Sequence, residues 1–72
     1  MNKKMLPAKM VLFGDTGDTL AEFLGINRST LSYKMNQTKG GEFVQGEIAK
    51  IKARYNLTAE ELNDIFFADE VS

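Results

Sequence analysis

Apolar positions recur at helical spacing along the chain, and no segment sustains the period-two alternation of a strand. Leu6, Met10 and Phe13 fall on one side of a helix over residues 6–13. Pro7 sits in its first turn, where a missing N–H costs nothing, and Gly14 ends it. Leu20, Ala21 and Leu24 form the inner face of a second helix, with Thr16 as N-cap, Asp18 near its positive end and Gly25 as its stop. A third opens after the N-cap Asn27, runs over residues 28–36 and turns Leu31 and Met35 inward. Ile48, Ile51 and Tyr55 stripe a fourth that begins at residue 44 or 45. Thr58 caps the fifth, where Glu61 completes a capping-box pattern and Leu62, Ile65 and Phe66 are apolar. The pattern predicts an all-α fold, a compact bundle of about five short helices in a single domain, with a core over residues 5–67 and short flexible tails.

Composition narrows the chemistry. At 72 residues the chain is near the lower limit for a self-sufficient core. It has no cysteine and no histidine, which removes disulfides, the usual zinc ligands and the commonest acid–base side chain. Asp and Glu lie on helix starts and polar faces without nucleophile or metal-ligand spacing. Gly40-Gly41 lacks the Lys-Ser/Thr that a phosphate loop requires. The expectation is a non-enzyme with no metal, no cofactor and no small-molecule ligand. No apolar run reaches membrane-span length, and "MNKKMLPAKM" lacks the apolar stretch of a signal peptide, so a cytoplasmic protein is expected. The net charge is −1, but residues 1–40 carry six basic against three acidic side chains, and residues 41–72 three against seven. A basic half and an acidic half predict an anionic partner on one face.

The stretch "TLAEFLGINRSTLSYKMN" brings the second and third helices within three residues of each other. Ala21 is small enough for close crossing, Gly25 tolerates the left-handed corner, Ile26 plugs the angle and Asn27 caps the next helix. This is the requirement of a helix-turn-helix. Arg28, Ser29, Ser32, Tyr33 and Asn36 then point away from Leu31 and Met35. In that motif the second helix enters the DNA major groove, where Arg pairs with guanine, Ser bonds several bases and Tyr meets a thymine methyl or a phosphate. Phe67 cannot share the inward face of Phe66 and is a candidate homodimer contact.

Leu20-Ala21, Leu24 to Arg28, Thr30-Leu31-Ser32 and Lys34-Met35-Asn36 together resemble the phage repressor and Cro-like helix-turn-helix family, a lambda-repressor-like DNA-binding fold. "GGEFVQGEIAKIKARYNLTAEELNDIFF" is similar to the last helices of small regulators from phages and prophages of low-GC Gram-positive bacteria, so the resemblance covers about residues 5–67. It implies a homodimer on a palindromic operator in double-stranded DNA and a role in transcriptional repression. It also implies base contacts from Arg28, Ser29 and Tyr33, with Ser32 a further candidate, and phosphate contacts from Thr16, Asn27, Lys34, Asn36, Thr38 and Lys39. Gly17 departs from the Gln that many relatives carry there, and so lacks the side chain that braces a phosphate. The competing expectation is a helix-turn-helix module that binds protein, as an adaptor or antitoxin-like partner.

Overall fold

The computed structural model describes residues 4–37 and 41–67. Among them the order is α1 (Met5–Leu12), α2 (Gly17–Leu24), α3 (Arg28–Asn36), α4 (Gln45–Arg54) and α5 (Ala59–Leu62), which runs straight into a π-helical turn at Asn63–Phe67. There is no strand among the described residues.

The helix ends follow from local chemistry. Thr16 accepts the N–H of Thr19 and Thr19 Oγ1 accepts the N–H of Thr16, a reciprocal cap at the start of α2. Asn27 Oδ1 accepts from Thr30 N–H at 2.8 Å, and Thr58 and Glu61 cap each other in the same reciprocal way. Val44 has no side-chain acceptor, so only half of that device is present at α4, where Glu47 accepts the Val44 N–H. Three corners use one C-terminal geometry, a left-handed residue closed by nested backbone bonds to the preceding turn. Gly14, Gly25 and Asn56 take φ of 75°, 73° and 51° there. At Gly25, its own N–H reaches Glu22 and the next N–H, from Ile26, reaches Ala21.

Leu6, Leu20, Leu31, Ile51 and Ile65 are fully enclosed, and Met10, Ala21, Leu24, Tyr55 and Leu57 complete the core. Every α-helix from α1 to α4 contributes to it, and Ile65 enters from the π turn. Met5, Ile26, Met35, Phe43, Leu62 and Phe66 pack around its edge, with Phe43 and Phe66 edge to face at 5.5 Å between centroids. Within the π turn Phe66 faces Phe43, and Phe67 is left exposed.

One sequence expectation needs correction. Phe13, read as inward-facing with Leu6 and Met10, is half exposed. The helix ends at Leu12, and the turn at Gly14 carries the Phe13 ring outward onto Tyr55, 5.2 Å away.

Candidate nucleic-acid interface

α2 and α3 are joined by Gly25-Ile26-Asn27, with Ala21, Leu24 and Leu31 buried between them. That burial fixes which side of α3 is free. Arg28, Ser29, Ser32, Tyr33 and Asn36 are all exposed, while Thr30 and Met35 are half-buried. The four expected base-reading side chains Arg28, Ser29, Ser32 and Tyr33 thus share the solvent side of α3. Asn36 donates back to the Ser32 carbonyl at 3.0 Å, which ties its amide to the helix surface.

Arg28 does not stand straight out. Its Nε lies 3.7 Å from Asp18 Oδ1 across the corner, in an exposed pair. A Cβ on Gly17 would come within 3.1 Å of the same nitrogen. The missing side chain at Gly17 therefore leaves the space in which Arg28 folds back over the start of α2. Below it, a groove of about 340 Å³ runs between α1, the α2 start and α3, with Met10, Val11, Leu31 and Met35 in its lining and Thr16, Arg28, Ser32 and Asn36 at its polar edge.

Of the expected phosphate contacts, Thr16, Asn27 and Asn36 are exposed at helix ends next to this face. Thr16 and Asn27 already serve as caps. Thr38 and Lys39 lie outside the described residues. Lys34 is placed differently from the expectation. Its ammonium bonds Glu47 Oε1 at 2.9 Å and the Glu42 carbonyl at 3.0 Å, and its side chain is only 16% exposed. It neighbours Leu31 on the inner edge of α3, so its charge is directed at α4 rather than at solvent. The signal was its position beside Leu31 and Met35, which forecasts a packed stem.

Gly41 reinforces this attachment. A Cβ there would sit 2.5 Å from the Tyr33 carbonyl carbon and oxygen and 2.8 Å from Lys34 N. The chain passes against the backbone of α3 at a distance only glycine allows.

Beside the interface lies a polar cluster that sequence reasoning missed. Asp15 accepts from Arg54 Nε at 2.7 Å, Arg54 Nη2 at 2.6 Å, the Tyr55 hydroxyl at 2.7 Å and the Thr19 hydroxyl at 2.9 Å. Its carboxylate is 6% exposed. The bonds from Arg54 hold Asp15 far below the usual carboxylate range, with Tyr55 and Thr19 adding to them against the opposing effect of burial. Burial, and then Asp15, pushes the Tyr55 hydroxyl well above its ordinary value. Arg54 also lies over the Phe23 ring, 4.5 Å from its centroid. The cluster ties the residue before the α2 cap to the end of α4, and so sets the angle at which α2 presents its first turn.

Phe67 is 61% exposed and lines a second cleft with Phe43, Ile48, Phe66, Lys34 and Glu42. No group of His, Cys, Asp or Glu among the described residues could hold a metal ion, and no helix among them is long and apolar enough to cross a membrane. Compared with protein-family models, with curated proteins and with solved structures, the chain matches none.

Proposed function

We propose that the protein binds double-stranded DNA sequence-specifically through α3 and regulates transcription, as a small repressor or Cro-like protein of a phage or prophage acting as a homodimer. The observation that carries this is the side-chain sorting of α3. Leu31 is buried against α2 behind a glycine corner, and Arg28, Ser29, Ser32 and Tyr33 are exposed together on the opposite side. A short polar helix held this way fits the major groove. Arg28 is the guanine-reading candidate, and it must leave Asp18 to reach a base. The domain measures 28 × 27 × 21 Å, so two copies side by side can set their α3 helices about 34 Å apart, one DNA turn.

A second reading is a protein-binding helix-turn-helix. Lys34 is neutralised by Glu47 and Arg28 is drawn toward Asp18, which leaves the described part of α3 with little free positive charge.

The deciding experiment exposes the purified protein to a random duplex library at about 150 mM salt, where nonspecific binding is weak, and sequences what is retained. Enrichment of a palindrome with half-sites one turn apart supports the DNA reading. No enrichment by a folded protein, there or at about 50 mM, overturns it in favour of the protein-binding reading.

A further inference from the structure

We infer that α1 carries the homodimer surface, through its outer face at Ala8, Val11, Leu12 and the adjoining Phe13, and that Phe67 does not. This deepens the proposed function, whose dimer it locates.

The sequence of α1 is MLPAKMVL, apolar apart from Lys9, and a helix of that kind is normally covered over most of its circumference. Here only Leu6 and Met10 are buried. Val11 is 78% exposed and Leu12 73%, and the half-exposed Phe13 continues the patch. A run of three consecutive exposed apolar residues is an error unless it is covered in function. The one charge within the helix, Lys9, is drawn onto Glu61. From Ala8 to Gly14 the solvent face thus presents no charge.

That lack of charge selects the occupant. A two-fold contact sets each patch against its own copy, so any net charge meets the same charge. The α1 face meets itself without that penalty. The Phe67 region does not. Its cleft contains Glu42, its cation Lys34 is already neutralised by Glu47, Asp64 lies one turn before Phe67, and the sequence continues into Asp69 and Glu70. Pairing that surface with itself opposes acid to acid, which costs several kcal/mol per close juxtaposition.

Area sets the strength. The exposed parts of Val11, Leu12 and Phe13 with Ala8 amount to roughly 400 Å² of apolar surface, the scale of a functional patch. A standard stable interface takes about 800 Å² from each partner. The dimer is therefore weak in free solution, and tightens where DNA holds two copies together.

Sedimentation of the full chain from about 10 μM to about 1 mM, without DNA, tests this directly. The wild type is expected to shift from monomer toward dimer across that range, Leu12→Glu to stay monomeric, and Phe67→Lys to dimerise at least as well as wild type. Both side chains are exposed, and circular dichroism checks that the fold is kept. A monomeric Phe67→Lys beside a dimeric Leu12→Glu overturns the inference, as does a wild type that stays monomeric throughout. Because no DNA is present, failure here leaves the library experiment untouched, and failure of the library experiment leaves the dimer standing.

Discussion

Asp15→Asn tests the link between the polar cluster and the stability of the domain. The wild-type carboxylate receives only donors, from Arg54 twice, Tyr55 and Thr19. Asparagine keeps the shape but turns one acceptor into an NH₂. Whichever way it flips, that NH₂ faces an Arg54 N–H, which cannot reverse, whereas the hydroxyls can. The substitution removes the ionic attraction and breaks one bond outright. Splitting a buried pair costs about 3–5 kcal/mol. The Arg54 side chain is 31% exposed, so water partly replaces the lost partner. A loss of about 2–3 kcal/mol is expected, against a total near 4–10 kcal/mol for a domain of this size. The melting temperature should fall by about 10–20 °C. The pH dependence is the sharper check. Asp15 titrates near 3.8 when unfolded and far lower when folded, so its contribution is present above about pH 4 and is lost as pH falls. Other carboxylates titrate in both proteins and cancel in the difference. The stability gap between wild type and Asp15→Asn, from urea unfolding followed by circular dichroism, should therefore shrink by about 1 kcal/mol between pH 7 and pH 3. A gap below about 0.5 kcal/mol at pH 7, or one that is unchanged at pH 3, refutes the assigned role.

Four further outcomes follow from the geometry. Gly41→Ala should destabilise by about 2–3 kcal/mol, since the added carbon meets backbone that cannot step aside, and a change under about 0.5 kcal/mol in the same unfolding assay would refute the close approach. Asn27→Ala should cost about 1 kcal/mol by removing the α3 cap, with Asn27→Ser recovering most of it in thermal melts. On an enriched operator, Arg28→Ala should lose about 1–3 kcal/mol and relax preference at one base pair, whereas equal loss on all sequences would contradict a base-reading role. Asp18→Asn should tighten DNA binding about two- to five-fold by releasing Arg28, and that gain should vanish in an Arg28→Ala background. If the gain persists there, Asp18 acts on phosphate directly.

The parts of the fold legible in the sequence are those decided within a few residues. Thr16, Asn27 and the Thr58–Glu61 pair announce helix starts because the cap and the N–H it accepts are three positions apart. Gly14 and Gly25 announce ends because a left-handed corner excludes most side chains. Burial of Leu20, Leu31 and Ile51 was readable from spacing, as was the solvent side of α3 that follows from it. What escaped depends on which elements meet. Asp15 and Arg54 are 39 positions apart, and nothing local marks them as partners. Lys34 looked like a cation available to a phosphate until Glu47 proved to lie against it. Gly41 looked relevant only to a phosphate loop that the sequence rules out, and its clearance over the Tyr33 backbone depends on a contact no local pattern shows. The outward swing of Phe13 depends on how the turn at Gly14 meets α4, and periodicity along α1 alone assigned it to the core.

The attachment of α3 has a thermodynamic consequence. The helix is capped by Asn27 at one end, bolted to α4 by Lys34 and Glu47, and overlaid by Gly41 along its back. Its solvent face is thus ordered before any partner arrives, and no folding of α3 need accompany binding. Calorimetry on a complex formed through this helix should show a heat-capacity change set by the surface it covers, without the excess that marks coupled folding. A partner, whether duplex or protein, meets a surface whose shape is already set, so discrimination rests on fit to a fixed outline rather than on the helix adapting to what it touches.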